Sequence, residues 1–157
     1  MTTISVHECK VYESWKKAPD GALLQMRGKA DAAPWVGLKI KIQLTDGLPI
    51  AAILRLDDEN IGRWMDPRSE AALDASDHLE ICATDPSARS LLEAQKVGFL
   101  YWQTDGAIFM WAYNGDLSAF VCVKGSAAFP LGTIHYELDS RYLYELGKAS
   151  LRSILRN

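Results

Sequence analysis

The segment spanning residues 98–124, GFLYWQTDGAIFMWAYNGDLSAFVCVK, constrains the fold more than any other. It sets Phe99, Tyr101, Trp102, Phe109, Trp111, Tyr113 and Phe120 around two turn signals, Asp105-Gly106 and Asn114-Gly115-Asp116. Aromatic residues suit a pleated surface, and Asp-Gly tolerates the positive φ of a two-residue hairpin turn. The segment therefore reads as three antiparallel strands. A two-residue Asp105-Gly106 turn puts Trp102 opposite Phe109 and Leu100 opposite Trp111, all on one face. The second turn admits two registers. An Asn-Gly turn sends Ser118, Phe120 and Cys122 to the Trp111 face, whereas a bulged three-residue loop sends Leu117, Ala119, Val121 and Val123 there. The bulged register separates apolar from polar residues better and is preferred, because such separation pins register.

The first third of the chain also reads as strands. Residues 3–14 form one, Pro19-Asp20-Gly21 turns the chain, and ALLQMRGK returns as the second. After a DAAPWVG loop, LKIKIQLT carries Leu38, Ile40, Ile42 and Leu44 on one side and Lys39, Lys41 and Gln43 on the other. That alternation predicts a half-buried strand with one wet face. IAAILRL follows as a fourth strand, then a DDENIGRWMDPRS loop. HLEICAT and TIHYEL are further strands.

Three stretches read as helices. SEAALDAS makes a short one. Asp85-Pro86 supplies a cap and a first-turn proline for residues 86–97, which Gly98 ends. From residue 141 onward, Leu143, Leu146, Leu151, Ile154 and Leu155 make an apolar helical stripe, with Lys148, Arg152 and Arg156 near the end where the helix dipole favours cations. Hairpin-linked strands without βαβ alternation predict the α+β class. The expected architecture is one domain over residues 1–157: a largely antiparallel, curved sheet packed against a C-terminal helix and one or two middle helices.

Composition narrows function chiefly by exclusion. A net charge of −3 lacks the concentrated basic surface that captures nucleic acid. No apolar run approaches a membrane span, and the first residues lack a secretory pattern. The three cysteines Cys9, Cys82 and Cys122 are widely spaced and form no CxxC pair, so they read as reduced thiols in a cytoplasmic protein.

Catalytic patterns are sparse. Neither GxSxG, GxGxxG nor a P-loop occurs. His78, Glu80 and Cys82 alternate on one strand and His7 and Cys9 on another, a donor set that would bind zinc were the strands adjacent. Two-residue spacing is common on strands, and a polar face is the plainer reading; no metal or cofactor is assigned. His135 and Glu137 share a strand face, and Asp57, Asp58, Glu59 and Asp66 cluster around a loop, where a solvated acidic turn competes with a magnesium or acid–base site.

The hairpin rings read as core, facing the C-terminal helix. The second face, with Phe99, Tyr101, Ile108 and Met110, is open to other roles. Recognition then falls to loop residues: Trp15, Trp35 and the trio Arg63, Trp64 and Met65 between Gly62 and Pro67. Tryptophan and arginine dominate binding hot spots, although loop tryptophans also fold back to cap a sheet. The leading expectation is a non-catalytic module that occupies a protein partner, of inhibitor or immunity type. The alternative is a small-ligand-binding protein or small enzyme whose pocket lies on the aromatic face, among Tyr101, Gln103, His135 and Glu137. A homodimer subunit is a third.

Overall fold

A computed structural model describes residues 10–27, 33–43, 47–57, 59–68, 70–84, 89–90 and 95–154. The chain enters through β1 (Val11–Tyr12), a 3₁₀ turn (Trp15–Lys17), β2 (Leu23–Met26), β3 (Trp35–Ile42), β4 (Ile50–Arg55) and β5 (Trp64–Met65). It continues through β6 (Ala72–Asp74), β7 (Leu79–Ala83), β8 (Arg89–Ser90), β9 (Phe99–Gln103), β10 (Ile108–Asn114) and β11 (Leu117–Lys124). Last come β12 (Ile134–His135), a second 3₁₀ turn (Ser140–Tyr142) and β13 (Leu143–Ser153). Sheet I has the order β1-β6-β2-β3-β4-β5; sheet II has the order β12-β11-β10-β9-β13-β7, with β8 also against β13.

The α+β expectation is therefore overturned. Among the described residues there is no α-helix, and the class is all-β and antiparallel. The C-terminal helix is instead β13, and a bulge explains the false signal. Glu145 pairs with Tyr101 but Gly147 pairs with Leu100, leaving Leu146 extra. Gly147 carries the positive φ of 103° that such an irregularity needs. The extra residue changes the face of everything beyond it. Leu143 is buried on the outer face of sheet II, whereas Leu146, Ala149 and Leu151 pack between the sheets. A period of two broken once imitates helical spacing.

The middle helices fail too. Ala72–Asp74 is a strand inserted between β1 and β2, and residues 89–90 pair with β13. Residues 85–88 and 91–94 of the second expected helix lie outside the described residues. So does most of the expected first strand, with His7 and Cys9.

Both hairpins close differently from the sequence reading. Trp102 pairs with Ile108, Tyr101 with Phe109 and Leu100 with Met110. The first loop thus has three residues, ending on Gly106 at φ 100°, with Asp105 Oδ1 accepting from the Ala107 N–H at 2.9 Å. The second has two, Gly115-Asp116, because Asn114 pairs with Leu117; Trp111 consequently faces Phe120, and the preferred bulged loop is not formed. A one-residue slip exchanges the faces. Phe109 and Trp111 join Phe99, Tyr101 and Phe120 on the outer face, while Met110 and Ile108 turn inward.

The inner faces of the sheets pack on one another. Leu38, Ile40, Leu54 and Trp64 of sheet I meet Leu100, Met110, Ala112 and Val121 of sheet II. Backbone bridges Lys41–Thr133 and Arg63–Tyr113 tie sheet to sheet at two edges. The first demands a glycine: at Gly132, with φ 83°, a Cβ would sit 2.9 Å from the Gly21 nitrogen.

Each outer face has its own roof. Over sheet I lies the 3₁₀ turn, whose Trp15 is fully buried against Leu24, Met26 and Ile53. The expected wet face of β3 is partly covered by it: Lys39 is only 5% exposed, its ammonium donating to Ala18 O and Asp20 Oδ1, each at 3.0 Å. Over sheet II lies the loop after β11, where Phe129 meets Phe109 edge-to-face at 5.1 Å.

Candidate functional site

The five residues expected at the recognition surface divide sharply by burial. Trp64 is 4% exposed and faces inward, its carbonyl accepting from Asn114 Nδ2 at 2.9 Å. Trp15 is fully buried, with its ring N–H donating to Arg68 O at 3.2 Å. Both rings serve the core. Arg63 is exposed and Met65 half-buried, both alternating away from Trp64 onto the outer side of sheet I. Trp35 belongs to strand β3, not to a loop. Its half-buried ring leans over Gly37, where a Cβ would come within 3.2 Å of Cζ3, and the Arg55 guanidinium stands 4.5 Å from its centre. Arg55 is in turn held by Asp57, with Nε at 2.8 Å from Oδ1. Burial works to raise the Asp57 carboxyl, but hydrogen bonds from Arg55 and Asn60 outweigh it and hold the group below its ordinary value.

Other sequence candidates take structural roles. Tyr101 is fully buried and its hydroxyl accepts from the Lys96 N–H at 2.8 Å, so burial pushes its pKa up. His135 packs between Phe109 and Phe129, and its Nε2 lies 2.8 Å from Thr133 Oγ1. Glu80 is gripped by Arg152 across the β7–β13 pair, and Cys82 Sγ lies 3.3 Å from Ser150 Oγ. Among the described residues no three His, Cys, Asp or Glu side chains gather as a metal site would. No helix there is long and apolar enough to cross a membrane.

A cleft opens instead at one edge of the interface between the sheets, with a volume of about 360 Å³. Leu23 and Leu38 of sheet I form one wall. Leu100 and Ile108 of β9 and β10 form the opposite one, and Leu79 and Ile81 of β7 close the side. The turn at Gly21, the Ser76 corner, Glu80 and Lys124 at the end of β11 complete the lining. Local structure accounts for each. The β6–β7 corner is fixed by Ala75, whose N–H donates to Leu23 O and whose carbonyl accepts from Leu79 N–H. At the far side a bulge opposite Ile108 and Phe109 turns both Val123 and Lys124 toward the opening. Beside it, Arg152 is held in its charged form by the Glu80 carboxylate.

The cleft is therefore mostly aliphatic, with Ser76, Glu80 and Lys124 as the polar side chains among its described lining. A second, smaller groove of about 270 Å³ runs beside exposed Val11 and Leu73 at the β1–β6 edge. Sequence reasoning missed the cleft because its residues are ordinary strand aliphatics drawn from six separate strands. Compared with protein-family models, curated proteins and solved structures, the chain finds no match.

Proposed function

We propose that the protein binds a small, largely apolar molecule in the cleft between its sheets. The observation that carries this reading is the cleft itself: about 360 Å³ of solvent-open space within an otherwise close-packed apolar interface. Ligand sites start at roughly 300 Å³, are mostly apolar and carry few polar groups. The site lies on the aliphatic inner face, not on the aromatic face where a pocket was expected. Two free thiols among the described residues, Cys82 and Cys122, support a reducing, cytoplasmic setting for this activity.

The test is a map of amide chemical shifts on titration with aliphatic compounds. Changes should centre on Leu23, Leu38, Ile81 and Ile108, and Ile81→Trp at the half-buried rim should weaken binding at least tenfold without lowering the melting temperature. Shifts confined to Val11 and Leu73 would remove the assignment.

Capture of a protein partner is a second reading, favoured by Trp35, Arg63 and Met65 sharing the outer side of sheet I. Arg63→Ala should then weaken capture of that partner, and unaltered capture would end this reading. No observation supports the inhibitor or immunity type.

A further inference from the structure

We infer that the occupant of the cleft is an unbranched aliphatic monocarboxylic acid, its chain between the sheets and its carboxylate at Lys124; this rests on the cleft being the binding site. Lys124 is the single cation lining the cleft among the described residues. It pairs with inward-facing Ile108 and is exposed, with no ion-pair or hydrogen-bond partner for its ammonium among the described residues. Glu80, the acid that lines the cleft, is paired with Arg152, and Asp20, next to Gly21, is paired with Lys39. Among the described residues, the lining thus holds one cation without a partner, Lys124, although the whole chain carries −3.

The lining also says what the anion is attached to. No aromatic ring lines the cleft among the described residues, so a planar base or other heterocycle finds no stacking platform. Aliphatic walls suit a flexible chain. A single lysine is a point charge rather than a fork, and among the described residues no arginine lines the cleft to grip a phosphate on two sides. A monoanion matches this single charge.

Calorimetric titration of the full chain with straight-chain carboxylates of six to ten carbons, each beside its matched 1-alkanol, tests the inference. Affinity should rise about fourfold per added methylene. Each carboxylate should exceed its alkanol by about fivefold, as an exposed ion pair permits. In Lys124→Glu that preference should vanish or reverse, and in Lys124→Arg it should persist. Lys124 is exposed, so neither substitution disturbs packing. Equal binding of carboxylate and alkanol, or a preference that survives Lys124→Glu, overturns the carboxylate inference and leaves the cleft reading standing. Binding of neither compound overturns both.

Discussion

The outer faces of the two sheets are both roofed by irregular chain, yet different forces hold the two roofs. Over sheet I, one large ring and one charge are driven under a short 3₁₀ turn. Trp15 is sealed with its N–H on Arg68 O, and Lys39 is tethered to Ala18 O and Asp20. Over sheet II, rings meet rings. Phe109 touches Phe120, Phe129 and His135 edge-to-face, and Tyr101 meets Phe120 in the same way. The first roof depends on a few directional bonds made where water is excluded. The second depends on area and on quadrupole geometry shared among many neighbours. The first should therefore fail abruptly when one group is removed, and the second by degrees.

The largest expected effect is the contrast between the anchoring rings. Trp15→Ala should cost about 3–5 kcal/mol in denaturant unfolding, because the ring is fully buried and its cavity cannot collapse around a capped turn. Phe129→Ala should cost about 1–2 kcal/mol, since that ring is only half-buried. Equal losses would erase the distinction between the roofs.

Next comes the tether. Lys39→Ala removes the buried stem and strips Ala18 O of its donor, for an expected loss of about 2–3 kcal/mol. Lys39→Met restores the stem but not the donor, and should recover roughly half of that loss. Full recovery by methionine would show that packing alone holds the turn.

The smallest effect is a pH dependence confined to the second roof. Burial pushes the His135 pKa below its ordinary 6.5. Below that value the unfolded chain binds the proton and the folded one resists it, so stability falls as pH is lowered through about 6.5 and levels off below the folded pKa. The slope cannot exceed about 1.4 kcal/mol per pH unit for one proton. His135→Phe should flatten this part of the profile while Lys39→Met leaves it unchanged. The carboxylate of Asp57 titrates below its ordinary 3.8, outside that window.

Much of the strand content was legible locally. The alternation in β3, the turn at Pro19-Asp20-Gly21 and the strands β2, β4 and β7 follow from period and turn chemistry. In two of the places where sequence reasoning failed, a single extra residue was responsible. The bulge at Leu146 disguised a strand as a helix, and the three-residue loop ending at Gly106 shifted Phe109 and Trp111 to the other face. Period arguments lose the face at each such irregularity, and nothing in the residue types marks which glycine will host one. The site was less legible still. Tryptophans in turn-rich sequence were natural recognition candidates, but Trp15 and Trp64 are large enough to be worth burying, and the fold buries them. Leu79, Ile81 and Ile108 carried no signal, since a slot-lining aliphatic and a core aliphatic look the same in sequence.

From the residues alone came the antiparallel character, the turns and the concentration of rings in one double hairpin, all products of short-range sterics and spacing. Which side of the sheet those rings occupy, that the chain closes as two facing sheets, and that a slot remains at Lys124 were decided by contacts between residues far apart in sequence. Register, closure and residual space are properties of the packed whole, because each depends on what the opposite sheet brings to the interface.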